Sequence, residues 1–236
     1  MVIVNTLDCD EDRLRKIYCA ARRCYSADGA MPHESDVKSM ERLVEKVIKS
    51  GHTSILEHAS FTFHVSGISR ACSHQLVRHR MASYAQQSQR YADAQGAYVI
   101  PPKVLGDGKS LEAYKKIVAD AMEAYKMLVA AGIPKEDARY VLPQAMCTSV
   151  IITMNARELY ENFFPLRMCA RAQWEIRSVA QAMYNACAEA LPSVFLHTGA
   201  RCALLGYCPE DNGCGKRPPL AEIARMHKEG FDAPDK

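Results

Sequence analysis

The segment RHRMASYAQQSQRY, residues 78–91, constrains the fold more than any other part of the chain. It carries three arginines, one histidine, two serines and three glutamines in fourteen positions. Such side chains are rarely buried without partners, so the segment cannot belong to a hydrophobic core. It contains no lysine, although lysine would serve equally well on a solvated basic surface. Planar, fixed donors therefore dominate a stretch that has to lie at a surface or at a binding site.

Charge and composition exclude several classes of protein. The formal net charge is only +3 over 236 residues, too small to indicate a nucleic-acid-binding protein by itself. No apolar run approaches the roughly 20 residues that span a bilayer. The amino-terminal stretch MVIVNTLDCDEDRLRK becomes acidic too early for a secretory signal. We therefore expect a cytoplasmic protein whose electrostatic function depends on local clusters of basic residues.

Hydrophobic periodicity predicts many helices and few strands. Strands are expected at MVIVN, at FTFHVSG and, as a buried strand, at TSVIITM. The longest helix is expected from Ser110 to about Ala131. Strands and helices do not alternate strictly, which favours one α+β domain over residues 1–236. The tail from about residue 200 is rich in Gly, Pro and charge, and we expect it to be loosely ordered.

Several helix ends carry capping signals. Ser35 is expected to cap the helix that Gly51 ends. Ser54 and Glu57 have the spacing of a capping box. Asn155 follows a predicted strand and can cap the helix after it, a structural role that is compatible with a functional one.

The donor-rich segment has the chemistry of a nucleotide or phosphate site. A helix through ISRACSHQLVRHR would place Gln75, Arg78 and His79 on one face, and beyond Arg80 an irregular connection with free backbone amides is expected. Arginine forks bind phosphate, while serine and glutamine side chains can complete the shell and match the edge of a base such as uracil. The alternative is a solvated surface loop. Ser88 has no histidine nearer than His79, so we expect it to be a ligand rather than a nucleophile.

Three further arginines stand on other segments, each beside apolar residues: Arg139, Arg157 and Arg167. A buried arginine needs a partner. Each of the three is therefore either paired with a carboxylate or directed at an anion, and the sequence leaves both options open.

Histidines and cysteines give no metal signature. His52 and His58 lack the tight spacing of zinc ligands, so structural roles are expected for them. Of the ten cysteines only Cys202, Cys208 and Cys214 cluster, at a spacing that matches no standard zinc pattern. We expect free, reduced thiols and no metal.

Taken together and in order, several segments resemble the flavin-dependent thymidylate synthases. Arg78-His79-Arg80, followed after seven residues by Ser88, resembles the signature of that family. The other matching segments are GHTSILEHASFTFHV (51–65), SHQLVRHR (73–80), ARYVLP (138–143), NAREL (155–159), and LR followed by RAQWEIR (166–177). The resemblance covers the chain from about residue 50 to 180.

The resemblance implies an α+β fold with a central, mostly antiparallel sheet flanked by helices. It implies a homotetramer with its active sites at subunit interfaces. It also implies bound FAD, NADPH as reductant and methylenetetrahydrofolate as carbon donor for the conversion of dUMP to dTMP. Tetrahydrofolate is released, and no enzyme nucleophile is needed.

The family's functional residues carry over to matching positions of this chain. Those expected to bind dUMP are Gln75, Arg78, Gln86, Gln87, Ser88, Gln89, Arg90, Arg139 and Arg167. Those expected to bind FAD are Ser54, Arg78, His79, Arg80, Asn155, Arg157 and Asn162. Arg167 near the uracil and His52 near the flavin and folate are the expected catalytic residues.

Two departures from the family's pattern stand out. Gln86 and Gln89 replace an acidic residue and a glycine that many members carry, which leaves open whether side chain or backbone binds there. ELYENFFPLR is one residue longer than the common spacing, which affects the match of Asn162.

The alternatives to an active thymidylate synthase are a nucleic-acid-binding module, a structural metalloprotein that uses the tail cysteines, and a family member that has lost turnover.

Overall fold

The structure is a computed structural model that describes residues 2–7, 10–26, 36–92 and 96–231, with side chains as far as residue 225. Among these residues, four strands form one sheet in the spatial order β1-β2-β4-β3. Their bounds are β1 Ile3–Thr6, β2 Ser60–Ser69, β3 Ala82–Gln86 and β4 Cys147–Asn155. The sheet is antiparallel.

Alternation of apolar and polar side chains gives the central strands one buried face. Phe63 and Val65 of β2 are fully buried, as the sequence predicts. In β4, Ile152 is fully buried whereas the adjacent Ile151 is 42% exposed. The prediction of a buried β4 is therefore wrong for one of its faces, because successive side chains point to opposite sides of the sheet and the described residues cover the side of Ile151 only in part.

Helices make up most of the remaining structure, which confirms the α+β class. In the described part of the chain the α-helices are α1 Arg13–Arg23, α2 Val37–Lys49, α3 Arg70–Leu76, α4 Pro102–Leu105, α5 Gly108–Ala130, α6 Lys135–Ala138, α7 Ala156–Glu158, α8 Phe164–Arg167, α9 Trp174–Ala190, α10 Pro192–Phe195, α11 Arg201–Leu205 and α12 Leu220–Phe231. Two segments are 3₁₀-helical, Thr53–His58 and Arg139–Val141, and Leu159–Phe163 is a π-helix.

The chain divides into two compact units. Unit 1 comprises Met1–Asn5 and Phe63–Ile152, and unit 2 comprises Thr6–Thr62 and Thr153–Lys236. The organisation of residues 1–236 as a single domain stays a prediction.

Unit 1 contains the longest helix, α5, at nearly the predicted bounds. Asp107 caps it, because its side chain accepts a hydrogen bond from the amide of Ser110 at 3.1 Å. Gly132 ends it with a φ of +84°, a left-handed conformation that glycine adopts without strain. Ile117 and Met127 on this helix are 65% and 66% exposed, so α5 presents apolar surface to solvent.

Unit 2 is held together by an aromatic cluster. The ring of Phe195 lies edge-on to Phe61 at 5.4 Å and to Phe164 at 5.8 Å, and Phe164 also meets Tyr184 at 5.6 Å. Each edge-to-face pair contributes about 0.5–1.5 kcal/mol beyond the burial of its area. Since these rings come from β2, α8, α9 and α10, they fix the helices that follow β4.

Helix α3 ends before the donors that were expected on its last turn. The amide of His79 bonds to the carbonyl of Leu76 at 3.2 Å and closes a turn after the helix. Arg78 is exposed, whereas His79 is only 7% exposed. The prediction that Gln75, Arg78 and His79 share one helical face is therefore wrong, because the turn sends the last two in different directions.

The chain beyond Arg80 was predicted to be an irregular connection, but part of it forms a strand. Residues Ala82–Gln86 form β3, the strand at one end of the sheet order, with half-buried and exposed side chains in alternation. The amide of Gln87 continues the pairing by donating to the carbonyl of Ser149 at 2.9 Å. Backbone hydrogen bonding makes this a strand despite its polar side chains. The amide of Gln87 is therefore engaged in the sheet.

The N-caps of α2 and α7 can be compared with the caps that the sequence predicted. Ser35 lies outside the described residues, and the cap of α2 is the neighbouring Asp36, whose side chain accepts from the amide of Ser39 at 3.0 Å. Asn155 caps α7 as predicted, since its Oδ1 accepts from the amide of Glu158 at 2.8 Å. Both caps satisfy helix amides that have no intrahelical partner.

The predicted capping box of Ser54 and Glu57 is wrong. Thr53–His58 is a 3₁₀-helix whose start at His52 has no side-chain cap. Glu57 is instead engaged by Arg157, one hundred positions along the chain. A long-range ion pair has replaced the local bond that the spacing suggested.

The tail after residue 200 contains helices α11 and α12. The loose order expected of this tail stays a prediction. Between them, the amide of Cys208 donates to the carbonyl of Pro218 at 2.8 Å, and Cys208 is only 8% exposed. Throughout the described ranges, no group of His, Cys, Asp and Glu side chains could hold a metal ion. None of the helices in those ranges has the length and apolar character to cross a membrane.

Candidate active site

The junction of β2 and α3 in unit 1 fixes the position of Arg70. Ser69 at the end of β2 caps α3, since its Oγ accepts from the amide of Cys72 at 3.0 Å. The amide of Arg70 donates to the carbonyl of Met146 at 3.1 Å, just before β4 begins. Arg70 thus starts a helix at a point where the ends of two adjacent strands meet.

A cavity of about 510 Å³ lies in unit 1. Its volume is in the range typical of small-molecule sites, roughly 300–1,000 Å³. It contains Gln89 and Arg139, two of the residues predicted to bind dUMP. The residues that line it are Arg70, His74, Gln89, Arg139, Tyr140, Leu142, Pro143 and Gln144.

The electrostatics of this cavity favour an anion. Burial lowers the pKa of Arg70, and the positive charge of the neighbouring Arg139 lowers it further. Both effects disfavour the charged form of Arg70. An arginine side chain nevertheless stays protonated in proteins, so the positive charge remains. Over the described ranges, no carboxylate forms an ion pair with Arg70. An anion in the cavity would compensate the positive charge that the protein leaves there.

The residues around Arg139 show how the second cavity arginine is held. Its Nε donates to the backbone carbonyl of Glu136 at 3.0 Å. The carboxylate of Glu136 forms an ion pair with Arg90, whose guanidinium also lies 5.3 Å from the centre of the Tyr91 ring. Arg90, a predicted dUMP ligand, is therefore paired with an internal carboxylate, while Arg139 is held by a backbone oxygen.

The glutamines at 86 and 87 are bonded within unit 1. The Nε2 of Gln86 donates to the Oγ of Ser73 at 2.9 Å and to the Oγ1 of Thr148 at 3.2 Å. The carbonyl of Gln87 accepts from Nη2 of Arg70 at 2.8 Å. The side chain of Gln86 therefore stabilises the strand, and its availability to a ligand is reduced.

Ser88 and Gln89 begin the turn that follows β3. The Oγ of Ser88 accepts from the amide of Arg90 at 3.0 Å, and its carbonyl accepts from the amide of Ala92 at 3.1 Å. Both bonds stabilise a tight turn. Ser88 thus shapes the segment that carries Gln89 into the cavity.

The signature residues 78–80 follow α3. The hydroxyl of Tyr84 lies 2.8 Å from the carbonyl of Leu76 and 2.7 Å from that of His79, which holds the signature against the next strand. Arg78 and Arg80 are exposed. Gln75, at the end of α3, is half-buried.

In unit 2, His52 and Ser54 stand at the start of the 3₁₀-helix. Both are exposed, and between them Thr53 is buried, with its hydroxyl bonded to the carboxylate of Glu161. The amide of His52 donates to the carbonyl of Val47 at 3.1 Å. The backbone is therefore fixed here, while the two predicted ligands face solvent.

Arg157 lies between two carboxylates in unit 2. Its Nε donates to Glu161 at 2.9 Å, and its Nη1 donates to Glu57 at 2.6 Å. These bonds and charges raise the pKa of Arg157, with the hydrogen bond to Glu57 as the largest cause. Of the two options that the sequence left open, the described structure shows the carboxylate partner.

The other predicted residues of unit 2 lie along the helical run after β4. Asn162, on the π-helix, donates through Nδ2 to the carboxylate of Glu158 at 2.8 Å. Glu158 is 6% exposed and also meets the cap formed by Asn155. Arg167 is the half-buried last residue of α8.

The structure brings some predicted residues together and adds others. In unit 1, Gln89 and Arg139 share a cavity with Arg70 and His74, which the sequence analysis did not identify as ligands. Arg70 and His74 are spaced i, i+4 on α3, a spacing that puts them on one helical face. That spacing, directly after a strand, is the signal that could have identified them.

The comparisons with known proteins agree with the sequence motifs. A family model described as "Thymidylate synthase complementing protein" matches residues 5–193. The flavin-dependent thymidylate synthase of Geobacter sulfurreducens is 45% identical over 216 residues, covering 89% of this chain and 91% of that protein. The flavin-dependent thymidylate synthase of Pyrococcus furiosus is 46% identical over 197 residues, covering 78% of this chain and 79% of that protein.

A solved structure is similar over nearly its whole length. The crystal structure of a UMP/dUMP methylase from Streptomyces cacaoi, bound with 5-Br dUMP, superposes with a TM-score of 0.73 at 27% identity. The match covers 83% of this chain and 93% of that one. The resemblance drawn from the motifs is confirmed: the chain belongs to the family of the flavin-dependent thymidylate synthases.

Proposed function

We propose that the chain catalyses the reductive methylation of dUMP to dTMP in the cytoplasm. Methylenetetrahydrofolate supplies the carbon and leaves as tetrahydrofolate, and NADPH is the reductant. When bound, FAD supplies the redox chemistry that passes a hydride from NADPH towards the transferred carbon. Membership of the family supports this reaction, and the polar cavity of unit 1 is the observation that carries it.

The unit 1 cavity suits the phosphate and base of a nucleotide. Arg70 and Arg139 provide positive charge, and Gln89 provides an amide that can both donate and accept. Leu142 and Pro143 add apolar surface on which a sugar or base can lie. The proposed dUMP ligands are those carried over from the family: Gln75, Arg78, Gln86, Gln87, Ser88, Gln89, Arg90, Arg139 and Arg167.

At Gln86 and Gln87 the contacts with dUMP are expected to come from the side chain of Gln87 more than from that of Gln86. The side chain of Gln86 is already engaged by Ser73 and Thr148. The amide of Gln87 is used by the sheet. The side chain of Gln87 is exposed and can meet a ligand.

The chemistry of the proposed flavin ligands fits FAD. Arg78 and Arg80 are exposed, and over the described ranges neither forms an ion pair with a carboxylate. Guanidinium groups of this kind bind a pyrophosphate well. The full proposed set is Ser54, Arg78, His79, Arg80, Asn155, Arg157 and Asn162.

The proposed chemistry needs no nucleophile from the enzyme. Of the described residues that line the cavity, none is a cysteine. Cys187 in unit 2 is fully buried, and burial raises the pKa of its thiol, so it stays protonated. Arg167 is proposed to stabilise charge that develops on the uracil, and His52 to lie beside the flavin and folate.

We further propose a homotetramer with active sites shared between subunits. Membership of the family supports this assembly, which the resemblance of the motifs implies. Light scattering coupled to size-exclusion chromatography should give four times the monomer mass.

The function is tested on the purified protein with its flavin. Its visible spectrum should be that of bound FAD, and NADPH with dUMP should bleach it. Addition of methylenetetrahydrofolate should then yield dTMP and tetrahydrofolate, measured by chromatography. A protein that cannot be loaded with FAD would contradict the proposal. A protein that binds FAD and dUMP but forms no dTMP would be a family member that has lost turnover.

A further inference from the structure

Two residues of unit 2 to which no sequence motif assigned a role, Thr53 and Glu161, lie among the proposed flavin ligands. Thr53 stands between His52 and Ser54, at the start of the first 3₁₀-helix. Glu161 lies on the π-helix, four residues after Arg157. Thr53 is only 8% exposed, so its hydroxyl needs a hydrogen-bond partner within the protein.

The 3₁₀-helix at residues 53–58 and the helical run that follows β4 lie side by side in opposite directions. Three contacts join them in reverse order along the two segments: the carbonyl of Ala59 accepts from the amide of Ala156, Glu57 accepts from Arg157, and the hydroxyl of Thr53 donates to Glu161. The contact of Thr53 with Glu161 is at the end that carries His52 and Ser54. It therefore ties these two proposed ligands to the segment of Arg157.

The carboxylate of Glu161 uses both of its oxygens. Its Oε1 accepts from the buried hydroxyl of Thr53, and its Oε2 accepts from Nε of Arg157 at 2.9 Å. Glu57, the other carboxylate partner of Arg157, is 52% exposed, and exposed ion pairs hold their side chains only weakly. Because a buried residue anchors Glu161, it is the firmer of the two partners of Arg157.

We infer that Glu161 is a positioning residue of the flavin site, which fixes the guanidinium of Arg157 relative to the segment of His52 and Ser54. This inference rests on the proposed function, since it takes Arg157 to be a ligand of FAD. The negative charge of Glu161 suits a partner of that cation and would repel the pyrophosphate of the cofactor. Glu161 therefore acts on the flavin through Arg157 and not by direct contact.

The competing view is that Glu161 only adds an ion pair to the surface of unit 2. Partly exposed pairs of this kind contribute little to stability. A residue with that role alone changes the melting temperature slightly and leaves the affinity for FAD as it is. A positioning residue changes the affinity for FAD, and does so only while Arg157 is present.

The test measures the Kd of FAD by titrating the full-length apoprotein and following the fluorescence of free flavin. In Glu161→Ala the Kd should rise about tenfold, the order expected when a charged ligand loses its fixed geometry. Glu161→Gln keeps the size and the hydrogen-bonding groups but not the charge, so the rise should be smaller, about threefold. Thr53→Val removes only the hydroxyl, and its Kd should also rise about threefold, because Arg157 keeps its bond to Glu161.

Double variants show whether the effect passes through Arg157. In the Arg157→Gln background, the further change caused by Glu161→Ala should be less than about twofold. In the Glu161→Ala background, Thr53→Val should likewise change the Kd less than about twofold. Two independent contributions would multiply instead.

A matched control is Glu45→Ala. Glu45 forms an ion pair with Lys49 at the same i, i+4 spacing and is 36% exposed, against 32% for Glu161. Its Kd for FAD should be that of the wild type.

An unchanged Kd in Glu161→Ala would overturn the inference. A full tenfold effect of Glu161→Ala in the Arg157→Gln background would overturn it too, because Glu161 would then act without Arg157. If Glu161→Ala does not fold, Glu161→Gln decides, and an unchanged Kd there has the same meaning. Wild-type protein that binds no FAD would instead contradict the proposed function, and the inference with it.

Discussion

Arg70 of unit 1 and Arg157 of unit 2 are buried or half-buried cations whose positive charge is compensated in different ways. Arg157 lies between Glu57 and Glu161, which balance its charge and raise its pKa. Arg70 lies beside another cation and retains a buried donor without a partner, and its pKa is lowered. An arginine of the first kind is fixed in the absence of ligand. An arginine of the second kind keeps a positive charge that no carboxylate of the described residues compensates.

This difference separates two options that the sequence left open for each arginine. A carboxylate partner and an anionic ligand are equally good reasons for a guanidinium beside apolar residues. Only the fold reveals that Glu57, far away in sequence, reaches Arg157, and that no acidic side chain lines the described cavity around Arg139. Substitutions in unit 1 test the cavity arginines, and substitutions in unit 2 test the ion pairs of Arg157.

The largest effect is expected for Arg139→Gln. Loss of one charge-assisted contact with the phosphate, of the order of 3 kcal/mol, should lower kcat/KM for dUMP about 100-fold. The measurement is the initial rate of dTMP formation over a range of dUMP concentrations, with FAD content checked by absorbance. Arg22→Gln serves as the control of equal charge change. A variant with wild-type kcat/KM would remove the cavity from the proposed site.

Arg157→Gln tests the arginine of unit 2 that is paired with carboxylates. We expect its Kd for FAD to rise about tenfold, because a proposed cationic ligand of FAD is lost. Glu57→Gln should change that Kd less than about threefold, since Glu161 still holds the guanidinium. Fluorescence of free flavin during titration of the apoprotein measures both constants. Equal losses in the two variants would mean that the ion-pair network, and not Arg157 itself, supports the cofactor.

Gln86→Ala separates a structural amide from a ligand in the donor-rich segment. Ser73 and Thr148 both lose the bonds donated by its side chain, so the free energy of unfolding should fall by about 1 kcal/mol. The Kd for dUMP should stay within about threefold of the wild-type value, because the side chain is already engaged. Urea denaturation and calorimetry measure the two effects. Gln87→Ala, which removes an exposed side chain, should leave the stability unchanged. A large loss of dUMP affinity at unchanged stability would show that the Gln86 side chain is a ligand.

The smallest expected effect is that of salt on the free protein. Arg157 and its partners are partly exposed, and such pairs contribute little to stability. Raising the salt concentration from about 0.05 to 0.5 M should therefore leave the melting temperature nearly unchanged, while the Kd for dUMP rises several-fold by screening of the cavity charges. Thermal denaturation and calorimetry at the two salt concentrations test this. A melting temperature that responds more strongly than dUMP binding would reverse the comparison.

The sequence predicted the parts of the fold that depend on local patterns. The alternation in β2, the cap of α7 at Asn155 and the end of α5 near Ala131 all follow from residues within a few positions of each other. Motifs in a fixed order were enough to identify the family. The candidate residues Gln89 and Arg139, named from the same motifs, do share a cavity.

The features that the sequence missed depend on long-range contacts. Strand β3 has a polar pattern and is formed by its pairing with β4, which no local window contains. Glu57 was expected in a capping box, but its carboxylate accepts a hydrogen bond from Arg157 instead. Arg70 carries no motif of its own, and its significance arises only where α3 and the segment after β3 come together.

The π-helix at Leu159–Phe163 has a consequence for how this chain is aligned with its relatives. A π-turn contains one residue more than an α-turn and is a common way for a helix to absorb a single insertion without displacing the residues after it. The segment 158–167 is also one residue longer than the usual family spacing. An extra residue looped out within this turn would leave Asn155, Arg157 and Arg167 in register with their family counterparts. Asn162, inside the turn, would be rotated relative to its counterpart, so variation in length within this family can be tolerated at a single turn of helix.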